Sequence, residues 1–211
     1  MNLIRTEVKN AAIGVGIADE PAALDAFLKP GCAASIWRKQ TPPDVQSWLD
    51  CLDPEILPRA RVILQPREVV GTLEHLFDAA GMPAGSERDW LQNDIADLAE
   101  TFSDLLQARF LRLRLDVITS NACRKFHIDA ISARLICTYR GTGTQYGISV
   151  DGEEPRRVFT VQTGAPCLLR GTLWPSDPPS GLLHRSPPIE GTGETRFVLV
   201  LDPVENPEDE L

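Results

Sequence analysis

The residues best suited to chemistry in this sequence are a histidine and an aspartate two positions apart. Only three of the 211 residues are histidines, and His127 precedes Asp129 by two positions. In an extended strand the side chains alternate between faces, so residues two apart point the same way. We therefore predict that one strand carries His127 and Asp129 and projects an imidazole and a carboxylate into the same space.

Two residues further along the chain extend this candidate site. His184 stands just before a pair of prolines, and Arg196 begins an apolar run that ends at residue 201. In a strand, Arg196 shares a face with Val198 and Val200. A guanidinium on an inward face costs free energy unless it meets an anion, and a carboxylate can bind it through two parallel hydrogen bonds. Arg196 is thus predicted to bind the carboxylate of a cosubstrate.

Two histidines and one carboxylate can hold one face of Fe(II) and leave its other positions open. His127, Asp129 and His184 are therefore predicted to be metal-binding and catalytic residues. Other interpretations stay open, since His-X-Asp pairs arise by chance, His184 can be a surface residue and Arg196 an ordinary edge-strand arginine. Cys123, four residues before His127, can instead complete a closed tetrahedral zinc site with the same three residues.

The second half of the chain has the sequence period of a β protein. From residue 111 to residue 117 apolar and charged residues alternate strictly, which is typical of a strand with one buried and one solvent-facing side. Turn signals separate further short strands, among them a hairpin signal at Asp151-Gly152. A series of this kind predicts a jelly roll. Its strands are predicted at residues 111–117, 133–139, 146–150, 157–162, 167–170 and 195–201.

The first half of the chain is predicted to be mainly helical. Leu91, Ile95, Leu98, Phe102 and Leu105 recur every three or four residues and make one apolar stripe. We expect this helix to pack against the sheet, and no clean linker separates the two halves. The predicted class is α+β. Residues 1–109 are expected to be a mainly helical region packing on the barrel, residues 110–202 a jelly-roll metal-binding core, and residues 203–211 an acidic tail.

Composition and charge indicate which kinds of binding partner and which cellular compartment to expect. The net charge of −9 argues against general binding to nucleic acid or to anionic membranes, although Arg109, Arg112 and Arg114 concentrate positive charge locally. No apolar run is long enough to span a membrane, and the N-terminus lacks the apolar core of a secretory signal. Five scattered cysteines without a Cys-X-X-Cys pair are typical of free thiols in a reducing compartment. We expect a cytoplasmic protein.

The order His127-X-Asp129, His184, Arg196 resembles the signature of iron(II)/2-oxoglutarate-dependent dioxygenases, which are double-stranded β-helix (cupin-like) proteins. The resemblance covers residues 110–202. It implies Fe(II) at the two histidines and the aspartate, and the distal carboxylate of 2-oxoglutarate on Arg196. Under the same resemblance, Tyr139 or Tyr146 is a candidate to donate a hydrogen bond to 2-oxoglutarate.

Three stretches, residues 123–129, 138–144 and 184–188, are also similar to a bacterial family known as domain of unknown function 1826. That family is uncharacterised, and its association with metal-homeostasis genes implies no particular reaction. The leading hypothesis is an Fe(II)/2-oxoglutarate-dependent oxygenase acting on an unknown small molecule or protein. The alternatives are a non-catalytic metal-binding cupin in zinc homeostasis and a jelly-roll binding module without metal. Trp174 and the Pro-rich residues 175–181 are expected to form the lid of the pocket.

Overall fold

The computed structural model describes residues 11–149 and 153–210. The α-helices in these residues are α1 (Pro43–Cys51), α2 (Val69–Ala80) and α3 (Ser86–Leu106). Short 3-10 helices span Pro21–Leu28, Pro54–Ile56, Pro66–Glu68 and Pro207–Glu210. The strands are β1 (Gly14–Ala18), β2 (Cys32–Trp37), β3 (Ala60–Leu64), β4 (Phe110–Ile118), β5 (Ala133–Arg140), β6 (Gln145–Ile148), β7 (Phe159–Thr160), β8 (Cys167–Arg170), β9 (Leu182–Arg185) and β10 (Arg196–Val204).

Two sheets make up the β part of the molecule. Within the described residues, seven strands form the main sheet in the order β1-β2-β8-β5-β10-β4-β3, and three form a smaller sheet in the order β7-β6-β9. Strands β1 and β2 run parallel, whereas the long central strands β4, β5 and β10 pair antiparallel. The fold is an α+β double-stranded β-helix, or jelly roll, with a cavity between its two sheets. The predicted fold class is confirmed.

Strand β10 shows how a period of two sorts side chains between two layers. Phe197, Leu199 and Leu201 are buried in the core between the main sheet and the helices. Val198 and Val200 belong to a second core on the other face of the sheet, between the two sheets. Successive residues of a strand point to opposite faces, so one face of the main sheet carries the helices while the other lines the cavity.

Helix α3 supplies most of the helical layer. The predicted stripe on this helix is confirmed, because Leu91, Ile95, Leu98 and Phe102 are fully buried in the same core as the apolar residues of β4 and β10. Burying a large apolar side chain stabilises a fold by about 1.5–3 kcal/mol. Of the helices in the described part of the chain, none combines the length and apolarity needed to cross a membrane.

The N-terminal region contributes strands as well as helices. Strand β3 pairs with β4, and β2 pairs with β8, so strands from both sides of residue 110 share one sheet. The division of the chain at residue 110 therefore stays a prediction. Strand β1 was not predicted, because glycine disfavours strands. In β1, Gly14 permits a close backbone approach, since a Cβ there would lie 2.9 Å from the Gly31 carbonyl oxygen.

Two strands of the smaller sheet are shorter than predicted. Strand β6 ends at Ile148, and β7 consists only of Phe159 and Thr160. The hairpin predicted at Asp151-Gly152 lies outside the described residues. Strand β9, which carries His184, pairs with β6 over four residues and thereby joins the segment around His184 to the sheet opposite β10.

Candidate metal centre

The two histidines of the candidate site are brought together by backbone pairing. The His127 N–H donates to the His184 carbonyl oxygen at 3.0 Å, and the His184 N–H donates to the His127 carbonyl oxygen at 3.0 Å. This reciprocal antiparallel bridge places both side chains on the same face. The two imidazole centroids lie 4.6 Å apart. Pairing across the sheet therefore makes neighbours of two residues far apart in sequence.

Asp129 reaches the same space from a loop rather than from a strand. His127 forms an isolated bridge, and Asp129 lies in irregular backbone before β5, so the prediction of one strand carrying both residues is wrong. The Asp129 carbonyl oxygen instead accepts from the Thr172 N–H at 2.9 Å. Gly171 allows this close packing, because a Cβ there would lie 2.8 Å from the Asp129 carbonyl oxygen. The loop after β8 thus holds Asp129 in place.

The side-chain atoms converge closely enough to share a metal ion. One ligand atom from each of His127, Asp129 and His184 lies within 4.8 Å of the others. His127 Nε2 is 3.6 Å from Asp129 Oδ1, and His184 Nε2 is 3.0 Å from Asp129 Oδ2. His127 Nδ1 lies 2.8 Å from the Lys125 carbonyl oxygen. A proton on Nδ1 donated to that carbonyl leaves the lone pair of His127 Nε2 free for a metal.

The charge states of these residues suit a cation. Burial alone raises the pKa of the Asp129 carboxyl, but the contact with His184 and the charge of Arg134 outweigh burial and lower the pKa to about 2. Burial lowers the pKa of His184 against the opposing effect of Asp129, which favours the neutral imidazole that metals bind. Both shifts favour the ligand forms of the side chains at neutral pH.

Asp129 Oδ2 provides the fit test for a metal. Arg134 Nη1 and His184 Nε2 lie 2.6 and 3.0 Å from this oxygen, yet the buried oxygen accepts no hydrogen bond of acceptable geometry. The Arg134 guanidinium balances the charge of this carboxylate, and the lone pairs that Oδ2 does not use in hydrogen bonds are available to a metal ion. Because the two imidazoles and this carboxylate are a suitable donor set, the residues present fit a divalent metal.

Arg134 links the candidate ligands to a buried ion pair. Its Nε and Nη2 donate to Asp202 Oδ1 and Oδ2 at 2.6 and 2.8 Å, while its Nη1 faces Asp129. Two parallel charge-assisted hydrogen bonds hold a guanidinium in a fixed plane. Arg134 therefore orients the Asp129 carboxylate through Nη1, and Asp202 orients Arg134 through Nε and Nη2. Neither residue was identified from sequence.

Arg196 is the second buried feature of the same cavity. The residue is only 1% exposed, and its Nε donates to the Thr142 carbonyl oxygen at 2.6 Å while Nη2 donates to Thr138 Oγ1 at 3.3 Å. Neither acceptor is charged, and within residues 11–149 and 153–210 the guanidinium has no ion pair. Burial lowers the pKa of Arg196 to about 10, against the opposing charge of Glu194.

A cavity of about 140 Å³ connects the metal-site residues to Arg196. Cys123 and Ser186 line this cavity, and the Ser186 N–H donates to the Cys123 carbonyl oxygen at 3.0 Å. Asn121 Oδ1 accepts from the Ile189 N–H at 3.1 Å, which fastens the loop before His127 to the loop after β9. The lining residues are Arg114, Asp116, Ile118, Ala122, Cys123, His127, Asp129, Arg134, Ile136, Thr144, His184, Arg185, Ser186, Arg196, Val198 and Val200.

Three candidate residues do not join this cluster. Tyr139 is fully buried on the opposite face of the main sheet, where its hydroxyl donates to Asp94 Oδ2 at 2.7 Å. Tyr146 stands opposite His184 in the β6–β9 pair but stacks on Phe159 at 5.4 Å. Cys123 lines the cavity, yet the group of converging ligand atoms found among the described residues does not include its thiol.

Trp174 does not form a lid over this cavity. Its ring packs edge-on against Phe27 with centroids 5.1 Å apart, and the Arg170 guanidinium lies 4.4 Å from its centroid. Trp174 also lines a separate surface pocket near the end of α3. The lid prediction for Trp174 is wrong, because its side chain packs beside the helical layer and not between the sheets.

The charged face of β4 lies inside the jelly roll. Arg114 and Asp116 line the cavity, while the intervening Leu113 and Leu115 pack toward the helices. The alternation of this strand was correctly predicted, but its charged side was expected to face solvent. The second sheet covers that side. Sequence period alone shows that two faces differ, and it leaves open what covers each one.

Comparisons with known proteins agree with this architecture. The family described as “Protein of unknown function (DUF1826)” matches residues 18–202. The chain belongs to this family. A comparison with the curated proteins finds no match.

Solved structures of similar fold add to the family assignment. The rice dioxygenase for auxin oxidation matches with a TM-score of 0.53 at 12% identity, over 93% of this chain and 84% of that chain. Dioxygenase for auxin oxidation 1 from Arabidopsis thaliana, in complex with 2-oxoglutarate, matches with a TM-score of 0.52 at 10% identity, over 94% of this chain and 97% of that chain. At such low identities the likeness shows the fold of this DUF1826 protein.

Proposed function

We propose that this DUF1826 protein is a non-heme Fe(II)/2-oxoglutarate-dependent oxygenase. The observation that carries the proposal is the pairing of two features in one cavity. His127, Asp129 and His184 converge on one point, and Arg196 is buried along the same cavity without a carboxylate partner among the described residues. A metal and a dicarboxylate would satisfy both features at once.

Each residue has a defined part in this proposal. His127 and His184 would bind Fe(II) through neutral imidazoles and Asp129 through its carboxylate, while Arg134 keeps that carboxylate oriented. Arg196 would hold the distal carboxylate of 2-oxoglutarate. The buried Val198 and Val200 exclude water between these positions. The bound metal and cosubstrate would supply the activation of O₂.

The substrate and compartment that we propose rest on composition. The net charge of −9 favours a small molecule or a protein over nucleic acid as substrate. All five cysteines are free, which agrees with a reducing compartment such as the cytoplasm.

The second candidate is a non-catalytic zinc-binding protein. Three converging protein ligands also suit zinc, which takes a fourth ligand to complete a tetrahedron, and Cys123 lines the same cavity. This alternative predicts that zinc affinity depends on Cys123. The oxygenase proposal predicts that Cys123→Ser leaves Fe(II) affinity unchanged.

The metal site is tested first by binding. Under anaerobic conditions the protein is expected to bind one equivalent of Fe(II), and His127→Ala or His184→Ala to abolish stoichiometric binding, as measured by equilibrium dialysis. His75→Ala is the matched control, because His75 lies on α2 and bonds only to the Gly71 carbonyl oxygen. Stoichiometric iron in the His127→Ala/His184→Ala double variant would contradict the proposed ligand set.

The cosubstrate is tested by an absorption titration. Chelation of 2-oxoglutarate to protein-bound Fe(II) produces a weak visible band, so the test needs no knowledge of the substrate. Arg196→Ala is expected to bind iron normally and to need well over tenfold more 2-oxoglutarate, since an unpaired buried carboxylate costs about 2–5 kcal/mol. Arg38→Ala, which removes an exposed arginine paired with Asp19, serves as the control. The oxygenase proposal fails if the iron-loaded wild type develops no band at millimolar 2-oxoglutarate.

A further inference from the structure

A second arginine that lines the cavity has a buried hydrogen-bond donor without an acceptor among the described residues. Arg114 Nε is buried and has no hydrogen-bond partner within residues 11–149 and 153–210. The neighbouring Nη2 of Arg114 lies 3.9 Å from Asp202 Oδ2, which is too far for a hydrogen bond. Nε–H and Nη2–H form one side of the guanidinium fork, the side that binds a carboxylate through two parallel bonds. In the part of the chain that the structure describes, no carboxylate forms this pair of bonds with Arg114.

In Arg134 the corresponding side of the guanidinium is bound to a carboxylate. Its Nε and Nη2 bind the two oxygens of Asp202 at 2.6 and 2.8 Å. Asp202 is thereby already engaged in a bidentate pair, so it cannot offer Arg114 the same arrangement. Arg114 lines the same cavity as the candidate metal ligands, and its carboxylate neighbour Asp202 lies 3.9 Å from Nη2, beyond hydrogen-bonding distance.

The register of the main sheet separates this position from Arg196. Arg114 pairs with Val200, and Arg196 pairs with Ile118. Four residues along a strand span about 13 Å, so the two arginines occupy different levels of the cavity. Asp116, which faces the same cavity, lies between those levels. Its negative charge would repel any carboxylate placed midway and so keeps two anion positions distinct.

We propose that Arg114 binds a carboxylate group of the substrate. This inference rests on the proposed function, in which Arg196 would bind 2-oxoglutarate and would therefore not be available to the substrate. A carboxylate on the Nε–Nη2 side of Arg114 would anchor the substrate next to the metal site and pair the buried Nε. The substrate class is thus a compact carboxylic acid or a carboxylate-bearing side chain.

The test observes the Arg114 Nε–H group directly by ¹H–¹⁵N NMR of the full chain, without added iron. Arg114→Lys assigns the signal by removing it. Titration with acetate is expected to shift the signal, because a charge-assisted bond forms at Nε, whereas acetamide, a neutral molecule of the same shape, leaves it unmoved. Because Arg114→Lys lacks the Nε–H signal, acetate binding to this variant is followed through the backbone amide signals of β4 and β10. The variant is expected to bind acetate about tenfold more weakly or worse than the wild type, since lysine lacks the two parallel donors of the guanidinium.

Two other outcomes would overturn the inference. If inorganic phosphate shifts the Arg114 signal and acetate does not, the site is selective for a different anion. If neither anion shifts the signal while Asp202→Asn does, Arg114 is a structural partner of Asp202. The titration uses neither iron nor 2-oxoglutarate. A negative result would therefore count against a carboxylate site at Arg114 and leave the proposed oxygenase function untouched. Loss of the absorption band in Arg196→Ala with retained acetate binding at Arg114 would support both.

Discussion

At the scale of single residues, the candidate site depends on charges that hold one another in place. Asp129 is oriented by Arg134, and Arg134 by Asp202. Ion pairs of this kind stabilise only when both partners are present, because removal of one leaves a desolvated charge. We therefore expect mutation of Arg134 or Asp202 to affect both the stability of the fold and the affinity for a metal.

Asp202→Asn is expected to destabilise the fold by about 3–5 kcal/mol, because it removes the buried carboxylate that binds Arg134 and also faces Arg112 and Arg114. The same variant is expected to weaken Fe(II) binding by about 10–100-fold, since the partner that orients Asp129 is then misplaced. Urea unfolding and iron titration measure the two effects. Asp19→Asn, at an exposed pair with Arg38, is the control, and an equal loss of stability in both variants would contradict this account.

At the scale of elements, the two faces of the main sheet have separate tasks. Strand β5 turns Ile136 toward the cavity and Tyr139 toward α3. The Tyr139 hydroxyl bonds to Asp94 on α3, and the same carboxylate pairs with Lys39. Tyr139 therefore joins the helical layer to the sheet and lies away from the proposed cosubstrate position.

Tyr139→Phe tests this separation of faces. The variant removes one buried hydrogen bond and leaves the ring in place, so the free energy of unfolding is expected to fall by about 1–3 kcal/mol. Fe(II) binding and the 2-oxoglutarate absorption band are expected to remain as in the wild type. Paired chemical denaturation and absorption titrations measure both. A tenfold weaker affinity for 2-oxoglutarate in Tyr139→Phe would contradict this account and would indicate that Tyr139 contributes to binding the cosubstrate.

At the scale of the whole molecule, burial of ionisable groups makes stability depend on alkaline pH. Burial raises the pKa of the Cys137 and Cys167 thiols to about 12, and burial together with the neighbouring Cys137 raises the pKa of Tyr139 well above its usual value. These groups lose protons in the unfolded chain before they do so in the folded one. Their stabilisation is complete below the unfolded pKa and is lost as pH rises toward the folded pKa.

Titration of these groups is therefore expected to leave the stability measured by urea unfolding constant with pH around pH 7 and to lower it progressively above about pH 9. The double variant Cys137→Ala/Cys167→Ala is expected to show a shallower fall, although the fully buried positions lose packing. Cys51→Ala removes an exposed thiol and is expected to leave the slope unchanged. A double variant with the wild-type slope would show that other groups cause the alkaline loss.

Much of the candidate site was predictable from sequence because the relevant signals are local. The alternation at residues 111–117 predicted a two-faced strand, and the apolar stripe of α3 predicted a buried helix face. The shared face of Arg196, Val198 and Val200 also followed from a period of two, and all three residues line the cavity. Each of these inferences uses neighbours in sequence, whose relative directions are set by backbone geometry.

The sequence by itself determined the residue types, their order and the two-sided character of each long strand. Only the tertiary structure decided that His127 is paired with His184, that Asp129 reaches them from a loop, and that the charged side of β4 faces the cavity. Pairing between distant segments depends on register and chain path, and the layer that covers a face is chosen by the whole fold. For that reason Tyr139, on a strand correctly predicted, lies on the opposite face from the site.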